Sequence, residues 1–295
     1  PLDIRAVTAM VGSGNLQASL PVCIAMAGWG FLTAFPTMPL VGQEVFDRGQ
    51  NVVPVYEGWE TNADGSFNLV FGYLNRNYEE HLHVPVGPSN MLEPGRLDQQ
   101  QPTFFFPRRH RFIYRVRVPK DFGNKEIVWT LTVHGRTEKA YATLLPDYAI
   151  ENDMIAFDAS VVSNMRQIPG NVAPAIRLVG ENRRTVGVGE PLFLTALVND
   201  DGLPVPPEDE SLRNSRSGLS VTWFVYRGPA QTVTFEPKQR VYPYFLPGPD
   251  PPPPAPEDGR FEVRVEFSEP GEFVVRATAL DGVLWNDEDV TVTVN

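Results

Sequence analysis

Five aspartates fall beside turn-forming residues in the last third of the chain: Asp200, Asp201, Asp281, Asp287 and Asp289, with Glu288 among them. Gathered at one end of a β-sandwich, their oxygens would make a hard-ligand set suited to calcium. The spacing is not that of a helix–loop–helix calcium loop, and Asp beside Gly also simply makes turns. A second set is aromatic. Tyr56, Trp59, Tyr73 and Tyr78 lie near turns of the first half, and Phe224 and Tyr226 alternate with Trp223 in the second. Exposed rings of this kind stack on sugars, and buried ones make cores. His81 and His83, two apart, point the same way from a strand and could share a metal with His110, although solvated surface histidines look the same in sequence. Arg108, Arg109, Arg111, Arg115 and Arg117 form a basic stripe. It could meet an anionic glycan, but balance by Glu57, Glu60, Glu79 and Glu80 is the reading preferred.

For catalysis the motifs do not assemble. There is no Gly-x-Ser-x-Gly elbow, no His-Glu-x-x-His pair and no phosphate-cradling glycine loop. The lone cysteine, Cys23, stands in an apolar N-terminal stretch. The expectation is a protein that is not an enzyme and needs no cofactor, calcium being the one ion its residues suggest. A pair of catalytic carboxylates is spatial and leaves no such signature.

The elements that would position these residues are strands. From Arg111 to Leu144 apolar and polar residues alternate twice over. Phe112, Tyr114, Val116 and Val118 take one face against Arg111, Arg115 and Arg117, and Ile127, Trp129, Leu131 and Val133 follow after a turn. Upstream, Phe67, Leu69, Phe71 and Tyr73 alternate with Asn68, Val70 and Gly72, then Leu82, Val84 and Val86 with His81 and His83. Gly87 to Pro102 reads as a long irregular loop. In the second half Leu192 to Val198, Leu219 to Val225, Phe261 to Phe267, Phe273 to Ala279 and Val290 to Val294 repeat the pattern. The tetraproline Pro251–Pro254 must lie outside any central strand. The expected fold class is all-β, two antiparallel sandwiches in tandem. The expected segments are 1–43, 44–158, a connector over 159–174, and 175–295.

With 36 acidic against 25 basic residues, the formal net charge of −11 repels a phosphate backbone, so nucleic acid is not an expected partner. One cysteine permits no disulfide within the chain. Ala6 to Gln43 carries no charge, and its Val22–Phe35 run is too short for a comfortable membrane helix but suits a secretory signal. Pro1 is not an initiator, and Arg5 is the only basic residue ahead of the run. Cys23 lies before the run's end, where an acylated cysteine should follow it. Export is expected, with no membrane span in the mature chain.

Two resemblances add to this. The runs EVFDRGQNVVPVYEGWE, DGSFNLVFGYLNRNYEE, DQQQPTFFFPRRHRFIYRVRVPKDFGNKE and WTLTVHGRTEKAYATLLPDY, covering Glu44 to about Tyr148, resemble an uncharacterised family of exported bacterial proteins. That resemblance implies export and carries no activity. Ala175 to Asn295 resembles an immunoglobulin-like module of bacterial surfaces, close to the polycystic-kidney-disease type. The residues are Trp223, Pro270-Gly271-Glu272-Phe273, Asp281-Gly282 and the Val290–Val294 strand. The chain lacks that type's Asp-Phe-Gly-Asp-Gly run after the tryptophan. The absence of catalytic motifs beside two alternating sandwiches points to a binding or structural protein of the cell surface or periplasm, with a protein or glycan of the envelope as expected partner. The alternative is a carbohydrate-binding accessory module of a polysaccharide-degrading system.

Overall fold

The alternation of Ser66 to Tyr73 becomes strand β2 (Phe67–Asn75), whose Leu69, Phe71 and Tyr73 are buried on one side. It lies between β1 (Val52–Thr61) and β6 (Arg108–Val118), both antiparallel to it. Facing that sheet is another, in which β7 (Ile127–Val133) lies between β4 (Asn90–Glu93) and β8 (Arg136–Ala142). A two-residue pair, β3 (Leu82–His83) with β5 (Phe104–Phe105), completes this half. The computed structural model describes residues 46–150, 169–242 and 248–295. The apolar segment 1–43 with Cys23, and most of the expected connector, lie outside the described residues.

The strand order is informative. In chain order, omitting the short β3–β5 pair, the first, second and fourth of the six main strands share one sheet, and the third, fifth and sixth the other. That is the A-B-E and C-F-G division of an immunoglobulin-like sandwich. The second half repeats it more fully. One sheet runs β13 (Val233–Glu236), β14 (Arg260–Phe267), β11 (Leu192–Asn199), β9 (Ala175–Leu178). The other runs β10 (Arg183–Val186), β16 (Trp285–Val294), β15 (Gly271–Leu280), β12 (Ser220–Arg227), with β10 parallel to β16. This is the D-E-B-A and A′-G-F-C arrangement. Both halves are therefore immunoglobulin-like, and the expected fold class holds.

Each sandwich has its own interior. In the first, Trp129 sits edge-on to Phe71, with ring centroids 5.8 Å apart, among Tyr73, Phe105, Tyr114 and Leu131. In the second, Trp223 is buried on β12 among valines and alanines, with Phe267 against Phe273 at 4.8 Å. A ring of that size organises the core without a cysteine pair beside it. A third, small apolar cluster joins the halves: Val70 and Phe112 with Val283 and Leu284. The turn between β15 and β16 covers the outer face of β2 and β6.

Three expectations change, and one strand was not foreseen. Phe112 was expected beside Tyr114, but three residues, Arg111 to Ile113, stand opposite the single Gly72, and Phe112 has φ +56°. This bulge turns its ring out of the first core and into the joining cluster. The loop expected over Gly87–Pro102 contains β4, hidden because its buried side-chain positions include Asn90. The strand expected from Glu80 to Val86 shrinks to two residues. β10, with only Val186 buried, has no alternation to betray it.

Candidate functional site at the junction of the sandwiches

The outer face of the first sandwich explains the basic stripe. Glu57, with its side chain only 3% exposed, receives Arg109 at 2.5 Å and Arg111 at 3.2 Å. These pairs cross over β2 at Gly72, where a Cβ would collide with Glu57 Oε1, the His110 carbonyl and the Arg109 guanidinium. Arg115 forks onto Glu60 at 3.0 and 3.1 Å, and Arg117 pairs with Asp64. Four of the five arginines are thus paired with carboxylates, Asp64 among them, while Arg108 lies over the Tyr78 ring. Glu80 instead accepts the Gly49 N–H and meets His134.

At the junction the free side of β12 meets the loop before β5. The Thr103 N–H donates to the Tyr226 carbonyl at 3.3 Å, and the Gly228 N–H donates to Thr103 Oγ1 at 2.9 Å. Tyr226 Oη donates to the Gln100 carbonyl at 3.0 Å, and Arg227 pairs with Asp98 at 3.0 Å. Phe106 and Phe224 meet edge to face at 5.7 Å. Arg276 of β15 ties the halves from the other side. Its Nη1 donates to the Ile113 carbonyl at 2.7 Å, its Nε and Nη2 fork onto Asp289 at 2.8 and 2.9 Å, and its guanidinium carbon lies 3.6 Å from the Tyr226 ring centroid.

Between these ties lies a cleft of about 890 Å³, near the upper end of ordinary ligand sites. The first sandwich lines it with Glu60, Arg115 and Gln100, and the second with Arg276, Trp285 and Asp289. Each half thus brings one carboxylate–guanidinium fork to the same space. None of these residues stood out in sequence except Glu60, Arg115 and Asp289. Arg276 and Trp285 occupy outward or terminal strand positions that nothing in their neighbours marks.

The six aromatics expected to stack on sugar do not share a surface. Tyr73 and Tyr226 are buried, and burial drives both phenols well above their ordinary range. Tyr73 Oη accepts the Phe106 N–H. Tyr56 donates to the Thr143 carbonyl with its ring on Phe71 and Tyr148, and Trp59 donates to the Leu145 carbonyl at 2.8 Å. Phe224 is taken up by Phe106. Tyr78 is 44% exposed, with the Arg108 guanidinium over its ring at 3.9 Å.

The five aspartates divide in two. Asp287 and Asp289 belong to Arg276 and Thr278 on the second sheet. Asp281, 1% exposed, accepts the Val283 and Leu284 N–H groups at 2.7 Å each and the Asn171 amide at 3.0 Å. Asp201 accepts the Val172 and Leu203 N–H groups, and Asp200 the Gly202 N–H. These are turn and junction duties. Burial, with Asp200 adding to it, lifts the Asp281 carboxyl to about 6. Among the described residues no three His, Cys, Asp or Glu side chains gather to hold a metal ion. The histidines scatter likewise: His81 stacks on Phe104, His83 stands opposite Phe104 in the β3–β5 pair, and His110 is buried against the Pro107 carbonyl. Burial pulls His110 down to about 4. Among the described residues no helix is long and apolar enough to cross a membrane.

No protein-family model matches the sequence, and no curated protein matches it. Among solved structures, Sidekick-1 immunoglobulin domains 1–4 align over 82% of this chain and 47% of that one, at 12% identity and a TM-score of 0.24. The N-terminal eight immunoglobulin domains of the Down syndrome cell adhesion molecule align over 83% of this chain and 27% of that one, at 9% identity and 0.25. Titin domains Z1Z2 in complex with telethonin align over 82% and 96%, at 10% identity and 0.24. Scores this low establish no shared arrangement, and the immunoglobulin-like assignment stands on the strand order alone.

Proposed function

We propose that the chain is an exported binding or structural protein of a bacterial cell envelope, acting without catalysis through the junction of its two sandwiches. The observation that carries this reading is the cleft itself: a wide space whose walls come from both halves and are held at a fixed spacing by Arg276 and β12. Its charged groups support binding over chemistry. Glu60 and Asp289 are each forked by an arginine, which holds both carboxylates in place by paired hydrogen bonds. The uncharged stretch 6–43 and the resemblance of 44–148 to exported proteins support the location.

Two measurements test it. A fusion of residues 1–60 to a reporter enzyme active only outside the cytoplasm should give activity in a bacterial host, and deletion of Val22–Phe35 should abolish it; activity confined to the cytoplasm removes export. Immobilised chain should retain components of a purified envelope fraction and not of cytosol. Equal retention from both, or none, removes the binding reading.

A further inference from the structure

We propose that the cleft between the two sandwiches binds a neutral, hydroxyl-rich oligosaccharide. This rests on reading the protein as a binding protein and names the ligand class for that site. The argument is one of charge, shape and valence. Glu60 is forked by Arg115, and Asp289 by Arg276, with Asp287 also near Arg276 at 3.9 Å. The cationic groups of the cleft are thus committed to carboxylates of the same cleft, which leaves little to neutralise a strongly charged ligand. The carboxylates of both forks keep further lone pairs, and the Glu60–Arg115 pair is partly exposed, its side chains at 22% and 34%. A hydroxyl, being donor and acceptor at once, can satisfy both members of a fork, which neither a carboxylate nor an ammonium can do.

The rest of the lining agrees. The exposed side chain of Gln100 adds an amide with both donor and acceptor character. Trp285 is half-buried, with one side braced by Phe112 at 5.6 Å between ring centroids. A braced indole among paired polar groups suits the apolar faces of sugar rings as well as their hydroxyls. The volume of about 890 Å³ favours several linked rings over one. Of the six aromatics first suspected of this role only Tyr226 lines the cleft, its ring buried under Arg276, so the site is a cleft between sandwiches and not a flat face.

Calorimetric titration of the full chain against neutral oligosaccharides tests the assignment. The panel is four- to six-residue chains of glucose, mannose, xylose and N-acetylglucosamine in their common linkages, with oligogalacturonate as the acidic comparison. A neutral chain should bind. The double variant Glu60→Gln with Gln100→Ala, both on solvent-facing side chains, should weaken it by about tenfold, the worth of one or two neutral hydrogen bonds. Tyr78→Ala and Tyr141→Ala, outside the cleft, should leave it unchanged. Near-ultraviolet spectra and melting temperature of each variant separate lost binding from lost folding. Preference for the acidic chain, indifference to the cleft variants, or silence across the whole panel overturns the proposal. Retention of envelope proteins by the chain, after enzymatic removal of polysaccharide, would in that case leave the broader binding reading standing.

Discussion

The two sandwiches share a strand order but fill it differently. The first is packed with large rings and plugged with amides: Asn75, Asn77, Asn90 and Gln101 are all buried, and Asn90 Oδ1 accepts the Trp129 indole N–H at 2.9 Å. Asn90 also donates to the Val84 and Pro102 carbonyls at 3.0 and 2.8 Å, and Asn75 to the Glu80 and Phe105 carbonyls. The second is a dry stack of valine, alanine and phenylalanine around Trp223, with its buried carboxylate, Asp281, at the junction end. Irregular backbone inside a core leaves carbonyls that need partners, and side-chain amides supply them. The first half therefore tolerates long connections by spending polar residues inside, whereas the second keeps its connections outside and its interior apolar.

The largest test of that contrast is the tryptophans. Trp129→Ala and Trp223→Ala should each cost about 3–5 kcal/mol in urea denaturation. The phenylalanine replacements should separate them: Trp129→Phe strands the Asn90 oxygen and should cost about 1–3 kcal/mol more than a well-tolerated ring exchange. If Asn90→Ala proves harmless, the amide plug is not a structural necessity. Next, Arg276→Leu leaves Asp289 and the Ile113 carbonyl without their partner and should cost about 2–3 kcal/mol. Calorimetry should then resolve two unfolding transitions where the parent shows one; a single transition in the variant would mean that β12 alone couples the halves.

The halves should also respond oppositely to acid. Asp281 is lifted to about 6 by burial, so the folded state holds a proton that the unfolded chain releases near 4. Its contribution is full below about pH 4 and is lost as pH rises to 6. His110 is pulled down to about 4, so the unfolded chain protonates first, near 6.5, and stability is lost as pH falls from there to 4. Each effect is about 3 kcal/mol at full extent, and the two oppose each other in the parent. Asp281→Asn should expose a melting temperature that drops on acidification from pH 6.5 to 4, and His110→Gln one that rises. Parallel slopes in both variants would refute the opposition. Smallest, Tyr78→Ala removes an exposed ring under Arg108 and should shift stability by no more than about 0.5 kcal/mol.

How far the sequence disclosed this follows the same contrast. Apart from β10, the dry second sandwich was legible strand by strand, since the inward residues of β11, β14 and β16 are apolar and alternate with more exposed neighbours. In the first half, Asn90 and Gln101 look like loop residues while being core residues, so β4 passed for loop. Phe112 looked like a core residue because alternation carries no mark of a bulge. The cleft was not legible at all. Its walls come from residues as far apart as Glu60 and Asp289, which the docking of the β15–β16 turn on Val70 and Phe112, with the Arg276 and β12 ties, makes neighbours.

Among the described residues the first sandwich has no D strand, and this has one more outcome. β6 ends its sheet with a side that no strand of its own half covers. The Ile113 carbonyl on that strand is claimed by Arg276, while Arg109, Arg111 and Arg115 reach back across β2 to carboxylates of β1, away from the rim. Two molecules meeting rim to rim would have to displace Arg276 from the Ile113 carbonyl before a full ladder could form between them. A crowded solution or a crowded envelope thus finds no ready template for fibre growth on this rim.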